Sequence, residues 1–141
     1  MKPFPKCYLD EVVETQGELF DCFNRRFPGC DTAHFITSYM ISRTRFYIDS
    51  SQAYVVTMNA ETLMNWFLEH DKYEPIEGET IRGFRPNWIG RFYALYQWSQ
   101  ALSSAETLAV VPLDYLLRAY AGLHDLDLKL AVEKVARLIS G

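Results

Sequence analysis

The most informative stretch of the sequence is Gly83-Phe-Arg-Pro-Asn-Trp-Ile-Gly-Arg-Phe-Tyr-Ala-Leu-Tyr-Gln-Trp-Ser-Gln100, which holds six aromatic residues, two arginines and no acid. Its apolar residues recur at helical spacing. Its proline fits at or just before the first turn of a helix, where the missing N–H costs nothing. We therefore predict a helix whose core-facing stripe comprises Trp88, Ile89, Phe92, Tyr93 and Tyr96.

The other side of this helix carries Arg91, Leu95 and Trp98 at positions i, i+4 and i+7. Aromatic rings offer a large contact area with few rotatable bonds, and arginine stacks and forms bidentate hydrogen bonds, so both suit a recognition surface. We predict that these residues form an exposed patch in which Trp98 is at least partly accessible and anchors a protein partner. The alternative is that the whole run is core.

Helical patterns with recognisable ends fill most of the remaining chain. The predicted helices cover Leu9–Phe27, a segment capped by Asp31, Ala60–His70 after Asn59, a segment from the Ser103–Glu106 capping box to Val110, a segment from Pro112, and roughly Leu126–Ile139. For residues 42–58 we prefer helix or loop. The sequence predicts an all-α fold, a compact bundle of about six or seven short helices, with at most one small strand pair near Gly78–Thr80 or at Ala53–Thr57.

Length and composition indicate one globular domain spanning residues 1–141. The chain has 49% hydrophobic and 23% charged residues, both near the average for a soluble protein. Its net charge of -4 argues against general phosphate binding, because that property needs a clustered basic surface. Neither an apolar signal region nor an apolar run long enough for a membrane span is visible, so we expect a cytoplasmic protein.

The cysteines and short motifs give no sign of a cofactor. The chain has three cysteines, Cys7, Cys22 and Cys30, and no C-x-x-C pair among them. Free thiols are therefore favoured over a zinc site formed by these cysteines and His34. No phosphate-binding glycine loop or nucleophile elbow is present. We expect neither a metal nor another cofactor.

A second locus is Ser42-Arg-Thr-Arg-Phe-Tyr-Ile-Asp49. Arg43 and Arg45 are two residues apart and would point to different faces of a helix, so a shared ligand would need an extended segment or a helix end. We include both arginines in a predicted partner-binding site. The alternative is an internal clamp in which Asp49 pairs with a guanidinium.

Two other classes of function stay open. A small metal-independent enzyme acting on RNA or a nucleotide would need Arg43, Arg45, Tyr96 and His124 in one cleft, with Asp49 as a further polar group. A nucleic-acid-binding protein would use Arg82, Arg85 and Arg91 on phosphates and Trp88 on a base. The net negative charge disfavours the second class.

The chain resembles small antitoxin-like proteins of gut Firmicutes that are encoded beside toxin-like genes. The resemblance is carried by the segment 42–49, by Trp88-Ile-Gly-Arg-Phe-Tyr-Ala-Leu-Tyr-Gln-Trp98 and by Leu123-His-Asp-Leu126. It implies a genetic setting and no catalytic role for any residue. Our leading hypothesis is a non-enzymatic protein-binding module that masks a partner such as a toxin enzyme. It rests on the absence of a catalytic motif, on the aromatic-arginine helix and on the acidic stretch of residues 61–80, which could steer a partner.

Overall fold

The computed structural model describes residues 2–140, and for residues 53 and 54 the backbone alone. A short 3-10 helix, Lys6–Tyr8, leads into the first α-helix. The α-helices are α1 (Leu9–Arg26), α2 (Thr32–Met40), α3 (Arg43–Asp49), α4 (Ala53–Val56), α5 (Ala60–His70), α6 (Arg85–Gln100), α7 (Ser104–Val110), α8 (Leu113–Leu123) and α9 (Leu128–Ser140). The all-α prediction is confirmed for this part of the chain. The helix count was slightly low, because residues 42–58 form two short helices.

Side-chain caps fix where several helices begin. The carboxylate of Asp31 accepts a hydrogen bond from the backbone N–H of His34, and Asn59 accepts one from Thr62. Ser103 and Glu106 form the predicted reciprocal capping box at the start of α7. Each cap satisfies a backbone donor that the first helical turn leaves without a partner, so these helix starts follow from local sequence.

The core is built on the antiparallel pair α1 and α6. Two glycines meet where the helices cross: a Cβ atom on Gly17 would lie 2.7 Å from a side-chain carbon of Arg91, and one on Gly90 would lie 2.6 Å from the backbone oxygen of Gln16. The absence of these side chains permits the close approach of the two helices. The predicted aromatic stripe of α6 is buried, as expected, and α9 packs against the same helix.

The connection between α5 and α6 lies against the turn between α1 and α2. The backbone N–H of Asp31 donates to the oxygen of Ile76 at 2.8 Å, and the N–H of Gly78 donates to the oxygen of Gly29 at 3.2 Å. The small hairpin that the sequence allowed within the connection is not formed among the described residues, because the bridge of Glu77 is made to Cys30 in a distant segment. The preference for helix or loop over a strand at residues 53–57 is confirmed, since α4 is a helical turn.

No helix within residues 2–140 is long and apolar enough to cross a membrane.

Candidate functional site

The segment 42–49 forms the helix α3, with Arg43 at the surface and Arg45 in the interior. Ser42 begins the helix by accepting a hydrogen bond from the backbone N–H of Arg45 at 3.0 Å. Arg43 is exposed and Arg45 is fully buried, with 0% of its surface accessible. The segment is therefore helical rather than extended, and its two arginines serve different surroundings.

Arg45 belongs to a buried polar network that joins α3 to α6. Its guanidinium lies 3.4 Å from the carboxylate of Asp49 and donates a hydrogen bond to the side-chain oxygen of Gln97. The amide of Gln97 donates in turn to Asp49 at 2.6 Å. Arg45 is thus an internal clamp, and its predicted role in direct partner contact is corrected, because its side chain is fully buried.

The same carboxylate also holds α7. The second oxygen of Asp49 accepts a hydrogen bond from the backbone N–H of Ser104 at 3.1 Å. At the other end of α3, Asp71 accepts hydrogen bonds from the backbone N–H groups of Arg43 and Thr44, at 2.8 and 3.1 Å. Since anchors at both ends fix the helix, its outer face is held in place before anything binds.

Two large apolar side chains are exposed on α3 and just before it. Ile41 and Phe46 are 65% and 64% exposed, and the exposed side chain of Arg43 lies between them in sequence. Phe46 also borders a cleft of about 300 Å³ whose walls include Pro3 and Leu102. We call Ile41, Arg43 and Phe46 the α3 face. Phe46 and Arg43 belong to α3, and Ile41 lies just before it in the sequence.

The predicted anchor Trp98 lies beside the N-terminal segment. Its ring is half-buried, and its indole N–H donates to the backbone oxygen of Phe4 at 2.9 Å. The ammonium group of Lys2 lies 4.3 Å from the ring centroid and donates to the oxygen of Ser99 at 3.1 Å. The chain's own N-terminal segment therefore covers part of Trp98, and Lys2 links it to the cleft beside Phe46.

The other members of the predicted α6 patch are half-buried as well. Arg91 packs along α1 at Gly17 and lines a cleft with Asp10 and Glu14, while Leu95 packs against the core. The expected open apolar patch beside Arg91 is not formed, because α1 and the N-terminal segment occupy that side of α6. Whether Arg91, Leu95 and Trp98 bind a partner stays a prediction.

The residues proposed for an enzyme do not converge. Tyr96 is 3% exposed, and burial raises the pKa of its phenol. His124 stacks on Tyr120, which packs against Trp88 near the start of α6. Arg45 instead bonds to Gln97 in the last turn of α6. These points are about 13 Å apart along the helix axis. One small cleft cannot contain the whole set.

The residues proposed to bind nucleic acid are also divided. Trp88 is 3% exposed and packs edge-on against Tyr120, so its ring cannot stack on a base. Arg82 and Arg85 are exposed near the start of α6, while Arg91 faces the acids of α1. The predicted arrangement of a stacking indole flanked by three arginines is therefore wrong.

The cysteines do not gather into a ligand set. Cys7 is exposed, Cys22 is buried and Cys30 is half-buried, and burial raises the pKa of the Cys22 thiol. Within residues 2–140, no group of three or more potential ligand residues could hold a metal ion.

Sequence reasoning missed Ile41, Phe46 and Lys2. A signal for Phe46 was present: if Ser42 caps a helix, then Arg43 and Phe46 are three residues apart and share its outer face. The prediction of a helix end or an extended segment at residues 42–49 does not place Arg43 and Phe46 on one face.

Comparison of the chain with protein-family models, with curated proteins and with solved structures gave no match.

Proposed function

We propose that this chain is a non-enzymatic protein-binding module that docks a partner through the α3 face. One observation carries the proposal: Ile41 and Phe46 are each more than 60% exposed and lie on either side of exposed Arg43 within six consecutive residues. Two apolar side chains this exposed within one short segment mark a candidate interaction surface. Aromatic residues and arginine are also the residue types that dominate binding energy at protein interfaces.

The network beneath α3 supports the proposal. The Arg45–Asp49–Gln97 contacts on one side and Asp71 on the other hold the helix in place. A surface that is already ordered loses less conformational freedom on binding, so more of its contact energy appears as affinity.

The charge of the face favours a partner with an acidic surface. Arg43 is the cation of the α3 face, and Lys2 lines the adjoining cleft. The carboxylates around them are engaged internally: Asp49 bonds to Gln97 and Ser104, and Asp71 and Glu106 accept hydrogen bonds from backbone N–H groups. Opposite charges speed the encounter and orient the two proteins more than they add affinity.

We extend the proposal to a toxin enzyme as the partner, masked by this chain in the manner of an antitoxin. The support is the resemblance stated above, since the segment 42–49 that carries it also contains two of the three residues of the α3 face. Masking implies that the partner's activity falls as the chain is added up to an equimolar ratio.

The test is quantitative capture from native lysate with the full chain and two matched variants. Phe46→Ala removes the exposed ring of the α3 face, and Phe84→Ala removes a 55% exposed ring at the opposite end of α6. We expect wild-type protein and Phe84→Ala to retain the same partner, and Phe46→Ala to lose most of it. Equal retention by all three would exclude the α3 face as the docking surface.

A further inference from the structure

A separate groove runs between the N-terminal half of α2 and the first half of α8. It consists of two adjoining clefts of about 760 and 470 Å³ that share Asp31, Ala33 and Leu117 as lining residues. The connection at residues 78–82 forms a further wall. Because the clefts adjoin, the groove is elongated and open along its length.

The floor of the groove is apolar near its middle. Leu117 and Leu108 are half-buried there, and Leu113 and Pro112 continue the surface. An apolar side chain laid on this floor would remove apolar surface of both molecules from water, which is favourable at about 25 cal/mol per Å².

One end of the groove carries cations that lack acidic partners. Arg82 and Arg85 are exposed lining residues, and no carboxylate within residues 2–140 lies within ion-pair distance of either. Asp31 is engaged in capping α2, and Asp114 pairs with Arg118 at 3.0 Å. Glu79 and Asp31 also line this end, so two arginines and two acids share the cleft, and neither acid forms an ion pair with an arginine of residues 2–140.

We propose that this groove binds a peptide segment of a partner protein, with an acidic residue at Arg82 and Arg85 and a bulky apolar residue on Leu117. Arginine pairs match carboxylates in charge and in bidentate geometry. The open, elongated shape fits a peptide better than a small molecule, whose sites enclose most of the ligand.

The groove is a second site and not an extension of the α3 face. Arg85 begins α6, whereas Leu102 in the cleft beside Phe46 follows its end. The length of α6 puts about 24 Å between them. Binding at the groove therefore does not depend on the function proposed for the α3 face.

The experiment selects peptides from a random display library on the immobilised full chain, and then measures the best one by fluorescence polarisation. The double variant Arg82→Glu/Arg85→Glu should weaken binding at least tenfold. The control Lys134→Glu/Arg137→Glu makes the same charge change at two exposed residues of α9 and should bind like wild type. Phe46→Ala should also bind like wild type, and Leu117→Ala should bind more weakly.

The selected peptides should combine an acid with a bulky apolar residue. The proposal is overturned if the library yields no binder, if the binders lack acids, or if both double variants bind equally well. It is also overturned if the groove proves to join two copies of this chain, seen as a dimer in sedimentation that Arg82→Glu/Arg85→Glu dissociates.

Discussion

The side-chain amide of Gln16 donates a 2.8 Å hydrogen bond to the backbone oxygen of Gly90, inside the crossing of α1 and α6. Gly90 cannot gain a side chain there, because a Cβ would lie 2.6 Å from the backbone oxygen of Gln16. Gly90 thus permits the close approach of the two helices and also provides the acceptor for the buried amide of Gln16.

Gly90→Ala should therefore destabilise the fold by about 1 to 3 kcal/mol, since the added methyl group meets backbone rather than a flexible side chain. The matched control is Gly122→Ala in α8, where a Cβ meets nothing within 4 Å. That change should be neutral or stabilising by up to about 1 kcal/mol. Urea denaturation of both variants measures the difference, and equal effects would contradict the close crossing.

Arg43 and Arg45 should respond oppositely to the same substitution. Arg45→Ala leaves the Asp49 carboxylate and the Gln97 side chain without their buried cation, and breaking such a pair costs about 3 to 5 kcal/mol. Arg43→Ala removes an exposed side chain whose backbone N–H still bonds to Asp71, so the melting temperature should hardly change. Thermal unfolding monitored by circular dichroism distinguishes the two, and similar melting temperatures would argue against the clamp.

The helix starts could be predicted because their signals are local. Asn59 and the Ser103–Glu106 box are followed by helices that begin within one residue of the predicted positions. The buried stripe of α6 was equally readable, since helical spacing alone identifies which side chains share a face.

The positions of the arginines could not be read in the same way. Burial of Arg45 depends on Gln97, which is 52 residues away in sequence, and on the approach of α7. The pairing of the connection could not be predicted for a similar reason, because the segment near Glu77 pairs with Cys30 rather than with itself. Contacts between distant segments leave no local pattern when only one sequence is considered.

Two buried tyrosines should differ in what their hydroxyl groups contribute. The hydroxyl of Tyr93 donates to the backbone oxygen of Val111 at 2.7 Å, whereas that of Tyr39 has no hydrogen-bond partner among residues 2–140. Tyr93→Phe should cost about 1 to 3 kcal/mol because it leaves a buried acceptor without its donor, and Tyr39→Phe should be neutral or slightly stabilising. Urea denaturation tests the pair, and a larger loss for Tyr39→Phe would refute the assignment.

The capping box of α7 should make part of the stability pH-dependent. The hydrogen bond from the backbone N–H of Ser103 lowers the pKa of Glu106 below its ordinary value of 4.5. A lowered pKa means that the stabilisation is present above that ordinary value and is lost as the pH falls through the folded-state pKa. Glu106→Ala should thus be less stable than wild type at neutral pH, and this difference in the free energy of unfolding should shrink as the pH falls. Urea denaturation from neutral to acidic pH measures this difference, and a difference that does not change with pH would count against the capping role.

The most direct test of the protein-binding proposal is isothermal titration calorimetry of the captured partner against wild type, Phe46→Ala and Phe84→Ala. We expect Phe46→Ala to lose about 2 kcal/mol or more of binding free energy, as truncation of a central aromatic residue does, and to keep its melting temperature. Phe84→Ala should bind like wild type. Undiminished binding by a folded Phe46→Ala would contradict the assignment of the α3 face as the partner surface.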